Sequence, residues 1–121
     1  MTTLDPVVYL IDDDHAMVES LKWIVESIGL HVKTYTRAQD FLEDYDPQQH
    51  GCLLLDIRMP GLDGLTVLTR LHRDCPALPV IAVMANVEKD QLIDLKRADA
   101  TDYVTKPLDY SDLLSKISRH F

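Results

Sequence analysis

The sequence has little of what marks several classes of protein. Its 121 residues include two cysteines, Cys52 and Cys75, with no CxxC spacing and no nearby histidine pattern. A disulfide framework and a zinc site are therefore disfavoured, and we expect a reduced, cytoplasmic protein. The longest early apolar run, residues 7–11, is far too short to cross a bilayer. The N-terminus shows no basic region leading into an apolar stretch, so no secretory signal is visible.

Positive charge is scarce as well. The chain has 12 Lys and Arg against 20 Asp and Glu, a formal net charge of −8. Such a surface repels phosphate backbones, so we expect no direct binding of nucleic acid. Apolar residues make up 46% and charged residues 26%, which is ordinary globular composition. The length predicts a single domain over residues 1–121.

Short apolar runs alternate with segments of helical period along the chain. A strand followed by a helix, repeated five times, predicts right-handed crossovers and a parallel sheet. The predicted class is therefore α/β, a three-layer α/β/α arrangement of five strands. The predicted strands are Val7–Ile11, Val32–Tyr35, Cys52–Leu55, Val80–Met84 and Asp102–Thr105. The fourth predicted helix covers residues 87–98.

Three local patterns predict where helices begin and end. Gly29 follows the first helical segment, at the place where a left-handed C-cap lies. The stretch Thr36-Arg37-Ala38-Gln39 matches a capping box at the start of the second helix. Asp109 is placed to cap the last helix.

Charged residues stand where three of these strands end. Residues 12–14 are all Asp, Asp56 follows the third strand, and Lys106-Pro107 follows the fifth. If the first and third strands are neighbours, at least three carboxylates meet in one crevice. Like charges so close need compensation, and Mg²⁺ suits a site of carboxylates, a carbonyl and waters. With a lysine nearby, these groups can perform phosphoryl chemistry, in which a carboxylate can be the nucleophile.

Structural explanations exist for each of these residues taken alone. Asp13 or Asp14 can cap the first helix, and that is the usual role of a lone Asp before a helix. Asp56 alone can be a turn residue, and Lys106 alone a solvated lysine. A run of three acids is more than one cap requires, which favours the functional interpretation.

Together the motifs resemble a known family. Residues 10–14 (LIDDD), residues 54–64 (LLDIRMPGLDG) and Lys106-Pro107 look like the receiver domain of bacterial two-component response regulators. The resemblance covers the chain from Val7 to Ile117. The Asp-Ile-Arg-Met-Pro version resembles receivers that precede a helix-turn-helix (LuxR-type) DNA-binding domain.

The resemblance implies a fold and a set of roles. The fold would be flavodoxin-like, with strand order 2-1-3-4-5. Asp56 would accept a phosphoryl group from a histidine kinase. Asp13 and Asp56 would ligate Mg²⁺ directly, together with the backbone carbonyl of Arg58, and Asp12 would act through a water. Lys106 would pair with the phosphoryl group.

The resemblance also implies structural positions, a moving face and an output. The bond to Pro107 would be cis, and Pro60 and Gly64 would be structural residues of the phosphoacceptor loop. The face built from the helix at 87–98, the fifth strand and the last helix would shift and form a homodimer. A covalently attached DNA-binding domain would then control transcription. Such a domain is no enzyme beyond its own phosphotransfer and dephosphorylation.

One position departs from the family pattern. The fourth strand of a receiver ends in Thr or Ser, whose hydroxyl bonds the phosphoryl oxygen, but Met84 stands there. Ala85 follows, small as phosphoryl access requires, and the aromatic switch position is Tyr103. Because methionine has no donor proton, this hydrogen bond cannot form. We expect chemistry at Asp56 to survive and its coupling to Tyr103 to be weakened or rerouted.

Two other function classes stay open. Met84 is compatible with a receiver-like interaction module that works without phosphorylation. Asp12 and Asp14 after an apolar strand are compatible with a phosphatase of the haloacid-dehalogenase type, with Asp12 as nucleophile and Asp14 as acid. The following His15-Ala16 is not the Gly-Thr of such enzymes, and the chain is short for one.

Overall fold

A computed structural model describes residues 6–56, 64–84, 101–105 and 109–120. The elements in chain order are β1 (Val7–Ile11), α1 (His15–Ser27), β2 (His31–Tyr35), α2 (Ala38–Asp44), β3 (Gly51–Asp56), α3 (Gly64–Asp74), β4 (Val80–Met84), β5 (Asp102–Thr105) and α4 (Tyr110–Ser118). All five predicted strands are therefore present. The helix predicted at 87–98 lies outside the described residues.

The strands form one sheet in the order β2-β1-β3-β4-β5, and each neighbouring pair is parallel. This confirms the predicted α/β class and strand order. The order places β1 and β3 side by side, with Ile11 in register with Leu55. The next positions, Asp12 and Asp56, therefore lie at the same edge of the sheet.

Helices cover both faces of the sheet, which gives the core two apolar clusters. In β1, Val7, Tyr9 and Ile11 belong to the cluster under α2 and α3, and Val8 and Leu10 to the cluster under α1 and α4. Successive side chains of a strand point to opposite faces. Because both faces are covered, β1 is apolar at every position and all five residues are buried.

The helix ends confirm two of the three local predictions. Gly29 has φ +86°, the left-handed region that favours glycine. The carboxylate of Asp109 accepts a hydrogen bond from the backbone N–H of Asp112 at 3.2 Å. The φ angle of Gly29 and the hydrogen bond of Asp109 each depend on a few adjacent residues. Both features can therefore be predicted from the sequence.

The capping box at the start of α2 is wrong. Arg37, rather than Thr36, is the N-cap residue, and its side chain makes no capping hydrogen bond. The Arg37 guanidinium instead pairs with Asp40 at 2.8 Å, and the side chain of Gln39 bonds Glu43 at 3.1 Å. The helix begins one residue later than the motif requires. The Arg37–Asp40 and Gln39–Glu43 pairs therefore take the place of the predicted capping-box hydrogen bonds.

Gly51 is required where β3 begins under the ring of Tyr9. A Cβ at this position would lie 2.7 Å from the backbone oxygen of Val7 and 2.7 Å from Cε2 of Tyr9. The Tyr9 ring is buried against Phe41 and Tyr45, and the backbone oxygen of Val7 belongs to the β1–β3 ladder, so neither can easily move away. We expect Gly51→Ala to lower the free energy of unfolding by about 1–3 kcal/mol, the usual cost of overpacking.

Urea unfolding of the purified chain measures this effect, with Gly29→Ala as the control. Nothing lies within 4 Å of a Cβ at Gly29, so that variant carries only the strain of its positive φ, about 1 kcal/mol. A Gly51→Ala protein as stable as the wild type would contradict the close approach.

Candidate functional site

The acidic residues at the ends of β1 and β3 meet at the carboxyl edge of the sheet. Asp12 directly follows β1, and Asp56 is the last residue of β3. One carboxylate oxygen from each of Asp12, Asp13 and Asp56 lies within 4.8 Å of the other two. The structure thus brings together the three carboxylates for which the sequence predicted a common crevice.

The cluster is partly enclosed by the protein. Asp12 and Asp56 are 2% and 5% exposed, whereas Asp13 is exposed to solvent. The Asp12 carboxylate accepts a hydrogen bond from the backbone N–H of Asp14 at 2.9 Å. The backbone N–H of Asp12 donates to the carbonyl oxygen of Tyr35 at 3.1 Å, which ties the tip of β1 to β2. The site therefore has a fixed buried side and one side open to solvent.

Asp14 has a different role from its two neighbours. Its Oδ1 accepts hydrogen bonds from the backbone N–H groups of Ala16 at 3.0 Å and Met17 at 3.3 Å. These bonds make it the N-cap of α1. The capping explanation, which the sequence left open for Asp13 or Asp14, is thus correct for Asp14.

The donor set fits a hard divalent cation. Three carboxylates supply only oxygen, and two of them are buried where an uncompensated negative charge is costly. Mg²⁺ takes one or two carboxylates and completes its octahedron with waters and phosphate oxygens. Asp13 is exposed to solvent, so water can reach its carboxylate.

Several residues named from the resemblance lie outside the described part of the chain. These are Arg58, Pro60, Ala85, Lys106 and Pro107. Gly64 is the first residue of α3.

Met84 and Tyr103, the two residues expected from the resemblance to form the switch, lie on neighbouring strands. Met84 ends β4, is 2% exposed and belongs to the cluster on the α2–α3 side. Tyr103 is in register with Ala82, and Met84 with Thr105. Because register partners in a parallel sheet point to the same face, Tyr103 lies on the face of Ala82 and Met84. Tyr103 is 36% exposed.

Sequence reasoning missed a lysine beside Tyr103. Lys116 of α4 donates a hydrogen bond from Nζ to the carbonyl oxygen of Tyr103 at 2.7 Å. The same Nζ lies 5.4 Å from the centre of the Tyr103 ring. The spacing of Asp112 and Lys116 predicts their ion pair along the helix, but nothing in the sequence places Lys116 against β5.

The cysteines take no part in this site. Both are buried and free. Burial, and to a smaller extent the charge of Asp102, raises the pKa of Cys52 to about 12. Burial also raises the pKa of Cys75. Thiolates, which bind metals and act as nucleophiles, are therefore disfavoured at both positions.

A cavity of about 170 Å³ lies at the other edge of the sheet. Its lining includes His50 and Gly51 at the start of β3, Leu78 and Pro79 before β4, and His120. Because the amino ends of the strands form this edge, the cavity is separate from the acidic cluster.

None of the helices within the described ranges could span a bilayer. The longest of them, α1, has 13 residues.

Residues 8–118 match the family model described as the response regulator receiver domain. The chain is 38% identical over 117 residues to the response regulator protein TmoT of Ectopseudomonas mendocina, covering 97% of this chain and 53% of TmoT. It is 34% identical over 110 residues to the transcriptional regulatory protein FixJ of Azorhizobium caulinodans, covering 91% of this chain and 52% of FixJ. The chain thus spans about half the length of these relatives.

Solved structures agree in fold. The response regulator StyR superimposes with a TM-score of 0.85 at 33% identity, over 96% of this chain and 59% of StyR. The chemotaxis protein CheY4 of Vibrio cholerae superimposes with a TM-score of 0.84 over 98% of this chain and 100% of that one. At 16% identity, CheY4 supports the fold alone.

Proposed function

The chain belongs to the response regulator receiver domain family of two-component systems, and from this membership we propose that Asp56 accepts a phosphoryl group from a partner histidine kinase. The observation that carries the proposal is the meeting of Asp12, Asp13 and Asp56 within 4.8 Å. We further propose that residues 1–121 are one phosphoacceptor domain, working in the cytoplasm.

The transfer is a displacement at phosphorus. An oxygen of the Asp56 carboxylate forms a bond to phosphorus while the P–N bond to the kinase imidazole breaks, and the imidazole nitrogen keeps the electron pair. Asp56 is suited to this role because it is buried, ends a strand and lies beside Asp13, which is exposed to solvent. The product is an aspartyl phosphate.

Asp13 and Asp56, the carbonyl of Arg58 and, through a water, Asp12 are the residues that would hold Mg²⁺. When bound, such an ion would supply positive charge to the phosphoryl oxygens and to the clustered carboxylates. Lys106 adds a point charge that pairs with the phosphoryl group. The domain then catalyses only its own phosphotransfer and dephosphorylation.

The output is proposed from the relatives. FixJ is a transcriptional regulatory protein, and NtrC of Escherichia coli, 32% identical over 117 residues, is a DNA-binding transcriptional regulator. We propose that this receiver controls a covalently attached DNA-binding domain. The surface of β5 and α4, with the helix predicted at 87–98, would transmit the change and form a homodimer.

The test is phosphorylation by a small donor. Incubating the chain with acetyl phosphate and Mg²⁺ should add the mass of one phosphoryl group, and chelating the Mg²⁺ with EDTA should prevent it. Absence of an adduct, together with absence of beryllofluoride binding, would contradict the proposal.

Met84 predicts weak coupling between Asp56 and Tyr103. We expect Met84→Thr to increase the change in Tyr103 exposure that beryllofluoride causes, because the hydroxyl can bond the phosphoryl mimic. A hydrogen bond to a charged group contributes about 1.5–3 kcal/mol, a shift of about tenfold or more in a two-state equilibrium. Fluorine NMR of fluorotyrosine-labelled protein measures the change in Tyr103 exposure. Met84→Leu, which has no hydroxyl, should behave as the wild type, and an equal response of all three proteins would contradict the expectation.

Met84 also favours a second candidate, an interaction module that works without phosphorylation. Its dimer content would be the same with and without beryllofluoride. The phosphatase alternative is disfavoured, because the carboxylate of Asp14 caps α1 instead of facing the acidic cluster as a general acid.

A further inference from the structure

Lys116 stands at the centre of a network on the outer side of β5. Besides its contacts with the carbonyl and ring of Tyr103, its Nζ lies 3.2 Å from Oδ2 of Asp112 and 3.8 Å from Oδ1 of Asp102. Arg119 contacts the other carboxylate oxygen of Asp102 at 3.8 Å. The network links the last helix to both residues at the start of β5.

The lysine is enclosed more than lysines usually are. Its side chain is 18% exposed, whereas surface lysines keep their ammonium group in water. A partly desolvated ammonium needs several partners, and here it has a carbonyl, two carboxylates and the face of an aromatic ring. A cation within about 6 Å of a ring centroid is attracted to the ring. Since two of these contacts are to Tyr103, the ammonium fixes both its backbone and its ring.

We propose that Lys116 is a positioning residue that holds Tyr103 in its exposed orientation and thereby opposes phosphorylation-dependent switching. The proposal rests on the proposed function, in which Tyr103 rearranges when Asp56 is phosphorylated. Met84 cannot supply the hydrogen bond that pulls toward the active state, and Lys116 stabilises the state without phosphate. The two residues therefore bias the equilibrium in the same direction, toward the state without phosphate.

Linkage gives the expected sign. A contact present only in the inactive state lowers the affinity for any ligand that selects the active state, by the same factor by which it disfavours that state. Lys116→Met removes the charge and keeps an unbranched apolar side chain. Because Met84 weakens the coupling between Asp56 and Tyr103 without abolishing it, only part of this effect reaches the ligand. We expect Lys116→Met to bind beryllofluoride, in the presence of Mg²⁺, about 3-fold more tightly than the wild type.

The experiment is a beryllofluoride titration of the full chain followed by fluorine NMR of fluorotyrosine. Tyr103→Phe assigns the resonance, and its solvent-isotope shift between H₂O and D₂O measures exposure of the ring. In Lys116→Met without ligand, this shift should be roughly halved, because the ring populates a less exposed orientation.

Three variants separate positioning from charge and stability. Lys22→Met on α1 makes the same change in net charge and should bind as the wild type does. Lys116→Arg keeps the cation and should stay within about 2-fold of the wild type. Asp112→Asn removes one carboxylate from Lys116, leaves both contacts with Tyr103 and should also stay close to the wild type. Thermal unfolding of each variant shows whether it is folded, and a purely structural role for Lys116 would lower stability without tightening ligand binding.

The outcomes are distinct. Tighter binding in Lys116→Met, absent in Lys22→Met and Lys116→Arg, supports the proposal, whereas an affinity equal to the wild type overturns it. If the wild type fails to bind beryllofluoride, the proposed function fails. In that case the solvent-isotope shift without ligand tests the positioning role of Lys116 by itself. An unchanged exposure of Tyr103 in Lys116→Met would overturn that role.

Discussion

We expect Asp56→Asn to abolish phosphoryl incorporation from acetyl phosphate, with a loss of at least about 10³-fold in rate, because an amide oxygen does not replace a carboxylate as nucleophile. Asparagine has the same shape, and Asp56 is buried at the end of β3, so the fold around it is retained. Intact-protein mass spectrometry over a time course measures the adduct.

The neighbouring acids supply the controls. Asp14→Asn keeps an oxygen for the N-cap of α1 and should be phosphorylated nearly as the wild type is. Asp12→Asn and Asp13→Asn should be phosphorylated more slowly and require more Mg²⁺, because each removes a charge from the cluster. An adduct that persists in Asp56→Asn but disappears in Asp12→Asn would move the nucleophile to Asp12, as the phosphatase alternative requires.

We expect Phe41→Ala to lower the free energy of unfolding by about 3–5 kcal/mol, the usual cost of removing a buried phenyl ring. Phe41 of α2 is 0% exposed. Its ring centre lies 5.1 Å from that of Tyr9, 5.5 Å from Tyr35 and 5.3 Å from Tyr45. No other described residue of α2 is fully enclosed, so the ring is the main attachment of this helix to the sheet.

Urea unfolding followed by circular dichroism measures the loss. The expected loss is a large part of the total free energy of unfolding of a domain, which is about 5–15 kcal/mol. Phe41→Leu, which keeps most of the apolar volume, should cost clearly less, since the cavity it leaves is smaller. If Phe41→Ala unfolds at the urea concentration of the wild type, the aromatic cluster does not anchor α2.

The sequence predicted the frame of the site because that frame depends on local patterns. Continuous apolar runs such as residues 7–11 occur where a strand is covered on both faces, and alternation with helices predicts a parallel sheet. Carboxylates placed directly after such strands then lie at one edge. The grouping of Asp12, Asp13 and Asp56 was therefore predictable from the strand ends and from the resemblance of the motifs.

Only the tertiary structure decided what depends on contacts between elements. It assigned the cap of α1 to Asp14 and left Asp13 to the acidic cluster, a choice between adjacent residues of the same type that composition cannot make. It also placed Lys116 of α4 on Tyr103 of β5, thirteen positions earlier in the chain. Hydrogen bonds within one turn depend on neighbouring residues, but this contact exists only because α4 packs against the sheet through Leu113 and Ile117.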